Sequence, residues 1–269
     1  MALTHHGPLY GIWPRPQKRI ESFVDAKVES RVLNGNIGYI RIPFMLVEPE
    51  LFQDLVDIMV KLADTVGLII DIRDNGGGSR APLKVLFPFL MKPAGPPRVV
   101  NVAAYRIGTR ERKDAFQARH LYPVSSLHRS DAERKVVAAF AKTFQPEWPL
   151  SKEKFSEWHC FVISPSKDSR YYYDKPVVIL PNRQNFGASD IFLGAFKGWR
   201  NVTLMELPSG GGSGGRIKYR QKNSGIAIYL SLMASFQPNG QLYDGNGIQP
   251  DVRIARKPTA TSSARPTTR

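Results

Sequence analysis

Residues 177–215 read VVILPNRQNFGASDIFLGAFKGWRNVTLMELPSGGGSGG. Val177 to Leu180 is a short, β-branched apolar run, the composition of a buried strand. Pro181 closes it, and Asn182 to Asn185 is polar loop. From Ala188 the spacing predicts a helix with Ile191, Phe192, Ala195 and Phe196 on one face. Ser189 and Asp190 fall in its first turn, where a hydroxyl or carboxylate meets free backbone N–H groups. Gly198 is placed to end the helix. Val202 to Leu207 reads as a second strand, and Pro208 to Gly215 as a glycine-rich loop. A strand that turns sharply into a helix presents one residue at the helix start, with backbone N–H groups aimed where an oxyanion can be held. This is the arrangement of a nucleophile elbow. The residue in that place is Gly187, which has no side chain.

Upstream, Ile37 to Phe44 alternates apolar and polar residues as a strand does. Pro49 to Thr65 reads as a helix, with Leu51, Leu55, Ile58, Met59 and Leu62 on one face and Pro49 near its first turn. Gly67 to Ile72 is a buried strand, the turn RDNGGGS spans 73–79, and a helix is expected over Ala81–Met91. Strand, helix, strand, glycine turn and helix in close succession imply an α/β domain with right-handed crossovers. A glycine turn between strand and helix lets backbone N–H groups approach a ligand unobstructed. By itself the triple glycine is equally a tight turn.

Val99 to Tyr105 is a further strand. Residues 108–175 then change character: they are charged, hold a helix over Asp131–Phe144, and carry Trp148, Phe155, Trp158, Tyr171, Tyr172 and Tyr173. This segment reads as an insertion or lid over the core. Its aromatics serve either as the core of the insertion or as a wall for an apolar peptide end. Past the glycine loop, Arg216–Arg220 and Gly225–Phe236 are expected strands, and GNGIQPDV (245–252) closes the domain. The expected division is an N-terminal extension over 1–35, with a strand within Asp25–Leu33, a core over 36–256 carrying the 108–175 lid, and a disordered tail over 257–269.

Composition bounds the function. The 269 residues are 42% hydrophobic, enough for a sizeable core. No apolar run approaches the roughly 20 residues that span a bilayer. The start, MALTHHGPLYGIWPRP, lacks a charged region followed by an apolar one, so it is not a signal peptide. Either the protein is cytoplasmic or the chain is a fragment without its export signal. Cys160 is the single cysteine, which forbids an internal disulfide and leaves the redox compartment open. The net charge of +15 fits a merely soluble basic protein or one with a nucleic-acid or anionic-surface partner. The cations are scattered, and no zinc-finger spacing or aromatic RNA-binding signature accompanies them, so nucleic acid is not the favoured partner. No metal site or cofactor is implied.

Four segments together resemble the tail-specific, or carboxyl-terminal processing, serine peptidases, a group that includes the tricorn protease core domain and the repeats of interphotoreceptor retinoid-binding protein. GLIIDIRDNGGGS (67–79) is similar to the family's strand and glycine turn. Residues 177–195 are similar to its strand, Asn, elbow and helix. MELPSGGGSGG (205–215) is similar to its Gly-Glu-Pro-Thr and glycine loop, and GNGIQPDV to its closing Gly-Ile-x-Pro-Asp-Val. Order and spacing agree from about Asn36 to Val252. The resemblance implies a crotonase-like α/β fold, a spiral of β-β-α units, and serine hydrolysis of peptide bonds near a carboxyl terminus. Members of this family are often exported.

The resemblance also places roles. Asn182 and Asp190 keep the family's spacing between its Asn and its acidic helix residue. The family's nucleophilic Ser lies three residues before that acid; 190 minus 3 is 187, a glycine. The Lys that many members place 25 residues later falls at 187 plus 25, or 212, also a glycine. Acyl transfer through a covalent intermediate needs an oxygen or sulfur at the elbow. An oxyanion hole needs only backbone donors, here expected from Ala188 and from Gly76 or Gly77. Three accounts of Gly187 stand: a natural pseudoenzyme that binds chain ends without cutting, an engineered inactivation, or a neighbouring oxygen from Ser189, Ser213 or Ser79. The reading preferred to a nucleophile is, for Ser189, a helix-start hydroxyl bonding locally, and, for Ser213, a loop hydroxyl. His120, His128 and His159 are either bases or ordinary histidines, and Asp71 and Asp74 either acids or turn caps. The expected partner is a peptide or protein bound in a cleft.

Overall fold

A computed structural model describes residues 27–45, 49–108, 116–165 and 171–254. The tail expected over 257–269, most of the 1–35 extension and the side chain of Leu51 lie outside these residues.

Four parallel strands form the centre: β2 (Ile37–Arg41), β3 (Gly67–Asp71), β7 (Val177–Leu180) and β8 (Val202–Glu206). Their apolar runs fit strands covered on both faces. β1 (Glu29–Leu33) pairs antiparallel with β2, and β12 (Val252–Arg253) pairs parallel with β8, which gives the order β1-β2-β3-β7-β8-β12. The register sets Arg41 beside Asp71 and Asp71 beside Leu180, so the turns after β2, β3 and β7 leave from one edge of the sheet.

A second, antiparallel sheet has the order β11-β4-β6-β5, formed by Met233–Phe236, Arg98–Tyr105, His159–Ile163 and Tyr122–Pro123. Of the segment expected as a lid, β6 thus lies inside a sheet, between β4 and β5. Helix α3 (Asp131–Thr143) starts with a capping box of Ser130 and Glu133, and its Val137 is buried with Val99, Val102 and Cys160. The remaining helices are α1 (Pro49–Lys61), α2 (Ala81–Leu90) and α4 (Ala188–Phe196). The long strand read over Gly225–Phe236 is two: β10 (Ala227–Leu230), which pairs with β9 (Ile217–Arg220), and β11.

The expectation of one buried face for α4 is corrected: every residue from Ala188 to Phe196 is buried. The helix packs against β4 and shares a core with Ile70 and Ile179 of the parallel sheet. Phe196 stacks on Phe87 at 4.3 Å between ring centroids. Each such aliphatic or aromatic side chain contributes about 1.5–3 kcal/mol on burial. The start of α4 is therefore fixed by the core rather than left on a mobile surface helix.

Candidate functional site

Two turns meet at the edge where β3 and β7 end. Asn182 donates to the Asp74 carboxylate (2.7 Å), and its own Oδ1 accepts the Asp74 N–H (3.0 Å). Asn185 donates to the carbonyls of Ile72 and Asn75, the latter at 3.1 Å, and its Oδ1 accepts the Asn182 N–H at 2.6 Å. Asn75 donates to the Ile42 carbonyl (2.9 Å), while its Oδ1 accepts the Gly77 N–H (2.9 Å) and the Ser189 hydroxyl (2.8 Å). Asn75 and Asn185 are fully buried. Buried amides of this kind are costly unless bonded, so once satisfied they hold one arrangement.

Gly187 stands immediately before α4 with φ 62° and ψ −117°, a conformation that strains any residue with a Cβ. Space is not the obstacle: a Cβ there would have Gly77 Cα, at 4.0 Å, as its nearest contact. Gly77 itself has φ +98°, and a Cβ on it would lie 2.4 Å from the Phe186 carbonyl oxygen and 3.0 Å from the Ala188 nitrogen. Glycine at 77 is what lets the two turns touch. Among the described residues the N–H groups of Ala188 and Gly76 have no backbone or side-chain acceptor, while that of Gly77 is taken by Asn75. Of the two second donors expected from the sequence, Gly76 is the one left available.

The glycine loop is fastened from α4. Asp190 Oδ1 accepts from the Ser209 hydroxyl (2.5 Å) and the Gly211 N–H (3.2 Å), and Oδ2 accepts from the Gly212 N–H (2.9 Å). Burial pushes this carboxyl up to about 6, against the pull of those three donors. The Phe186 ring fills the space beside the loop. A Cβ at Gly212 would lie 2.8 Å from Phe186 Cδ1, and one at Gly210 would lie 2.3 Å from its Cζ. The position that resemblance gives to a lysine is thus walled by Phe186.

The alternative oxygens sit as follows. Ser189 is fully buried, with its hydroxyl directed at Asn75. Ser213 is buried with no hydrogen-bond partner for its hydroxyl among the described residues. Ser79 Oγ accepts the Ala81 N–H at 3.1 Å, as a turn hydroxyl does. Asp71 is buried; burial raises its carboxyl, but hydrogen bonds from Arg73 and Tyr39 outweigh that and hold it below its ordinary value. His159 Nδ1 contacts the Glu157 carbonyl, His120 stacks on Phe161, and His128 lies against Tyr122. Burial depresses His120 to about 4 and raises the Cys160 thiol to about 11. The aromatic-wall reading does not extend to Tyr171 and Tyr173, which bond the Met59 carbonyl and Thr65 in the core. Among the described residues no three His, Cys, Asp or Glu side chains converge as metal ligands.

Sequence reasoning missed Asn75, Asn185 and Ser209 as organisers of this site. The signals were polar residues crowded beside glycines, which ordinary loops also show, and, for Asn75, its place in the turn after β3 that resembles the family's.

The sequence model of peptidase family S41 matches residues 36–254. Among solved structures, a candidate peptidase from Parabacteroides merdae aligns with TM-score 0.59 and 20% identity, over 88% of this chain and 60% of its own. Mature CPAF aligns with TM-score 0.56 and 19% identity, over 84% of this chain and 49% of its own. The photosystem II D1 C-terminal processing protease aligns with TM-score 0.48 and 16% identity, over 83% of this chain and 44% of its own. The chain thus spans about half the length of the structures it matches, and at these identities the likeness speaks to fold.

Proposed function

Because the chain belongs to peptidase family S41, we propose that this serine-peptidase-like domain holds an extended peptide by a backbone carbonyl or terminal carboxylate at the elbow and does not cleave it. The observation that carries the reading is Gly187 itself. It takes the position before α4, next to the open amide of Ala188 and facing the turn that carries Gly76 and Gly77, and offers no attacking atom. The amides of Ala188 and Gly76 act as the oxyanion donors. Ser189 is a positioning residue, because its proton serves Asn75. In the same reading the architecture is a crotonase-like spiral with a core over 36–256, to which β1 adds an edge strand and the 108–175 segment adds β5, α3 and β6.

The test is calorimetric titration of the unmodified chain with short apolar peptides bearing a free carboxyl terminus, followed by product analysis. Saturable binding with intact peptide recovered is expected. Hydrolysis by the unmodified chain, or no binding, overturns the reading.

A further inference from the structure

Strands β9 and β10 form a ribbon of two strands that joins neither sheet. Opposed residues in an antiparallel pair share a face. The register pairs Ile228 with Tyr219 and Leu230 with Ile217, so these four make one apolar face. Ile226, 60% exposed, follows on toward the turn. The other face takes Lys218, Arg220 and Tyr229, with the Arg216 guanidinium 5.4 Å and the Lys218 ammonium 5.9 Å from the Tyr229 ring centroid. Tyr219, Ile228, Tyr229 and Leu230 are all exposed. From Arg216 to Leu230 there are four cations and no acid.

The ribbon is rooted on the site. Asp244 clasps both its feet, accepting from the Gly214 N–H (3.0 Å) and the Ser231 hydroxyl (3.1 Å). Gly214 lies in the same glycine loop, two residues beyond the Gly212 that Asp190 fastens. An isolated two-stranded ribbon is marginal in water, and its outer edges present unpaired N–H and C=O groups to another strand.

We propose that this ribbon is the docking arm for an extended peptide whose residues alternate apolar and acidic, added as a further strand. The period of two decides the chemistry: consecutive residues of an added strand face opposite sides. Beside the free edge of β9, apolar side chains would stand next to Ile217 and Tyr219, on the face that Ile228 and Leu230 extend, and carboxylates next to Lys218 and Arg220. A second copy of the chain is disfavoured, since each copy carries net charge +15 and would set basic ribbon against basic ribbon. The aliphatic row gives nothing to nucleic acid, which takes cations and stacking aromatics. The inference rests on the peptide-holding reading of the elbow for its choice of a peptide.

The test is fluorescence anisotropy with labelled Val-Glu-Val-Glu-Val-Glu-Val-Glu and Val-Lys-Val-Lys-Val-Lys-Val-Lys, both terminally blocked so that neither supplies a free carboxyl terminus to the elbow. Saturable binding of the acidic peptide is expected. Lys218→Glu/Arg220→Glu should lose it by about tenfold or more and gain the lysine peptide, a gain that a misfolded variant cannot show. Ile228→Ser/Leu230→Ser should weaken both interactions. Equal binding of the two peptides by the unmodified chain, or indifference to the ribbon variants, overturns the proposal. So does ribbon-dependent binding to phosphatidylglycerol vesicles or to a DNA oligonucleotide in place of the peptide. Failure here with carboxyl-terminal peptides still bound would remove the arm and leave the elbow reading standing; the reverse result would do the opposite.

Discussion

Gly77 and Gly187 face each other across the site with opposite tolerances: a Cβ on Gly187 would meet only Gly77 Cα, at 4.0 Å, whereas one on Gly77 would lie 2.4 Å from the Phe186 carbonyl oxygen. Gly187→Ala is therefore expected to cost only the strain of a positive φ, about 1–3 kcal/mol. Gly77→Ala adds a backbone collision to the same kind of strain and should cost more than about 4 kcal/mol. Denaturant unfolding of the two variants checks the order.

Ser189→Ala should destabilise by about 1–3 kcal/mol, because Asn75 Oδ1 loses a buried donor. It should leave the reactivity of the chain toward serine-directed reagents unchanged. Unfolding measurements paired with a labelling assay read both effects.

Two carboxylates give opposite pH dependences. The Asp190 carboxyl, raised to about 6 from its ordinary 3.8, binds its proton more tightly folded than unfolded. Its linkage stability is therefore full below about pH 4 and lost as pH rises through about 6. The stability of the unmodified chain relative to Asp190→Asn should fall across that window and be flat above about pH 7. The Asp71 carboxyl is lowered from 3.8, so its stabilisation is present above about pH 4 and lost on acidification. Unfolding free energies of Asp190→Asn and Asp71→Asn as functions of pH separate the two.

Gly212→Lys should be destabilising while Phe186 is present, because the new Cβ would lie 2.8 Å from that ring. In a Phe186→Ala background the same change should cost less, with a coupling of about 1 kcal/mol or more in a double-mutant cycle.

Much of this was legible in the chain. The apolar runs of β3 and β7 and the glycines after them mark the parallel strands and their turns, and the strand, polar loop and apolar helix pattern over 177–196 marks the turn that carries Gly187. Other features were not legible, for physical reasons. Asn75 and Ser189 are 114 residues apart, and nothing local distinguishes an Asn that will be buried from one that caps a turn. Asp190 reads locally as an acid favoured at a helix start; only the folded chain brings Ser209 and Gly212 to it. β6 was read with a lid because its neighbours are charged and aromatic, although it pairs with β4 inside a sheet. The all-round burial of α4 depends on a second layer that the apolar spacing of one helix does not reveal.

The central claim is that the elbow keeps its amides and lacks an attacking oxygen. Intact-mass analysis after treatment with a serine-directed phosphonate tests it most directly. The unmodified chain should gain no mass, and Gly187→Ser should gain one adduct mapped to position 187. An adduct on the unmodified chain at Ser189, Ser213 or Ser79, with peptide hydrolysis lost in parallel, would contradict it.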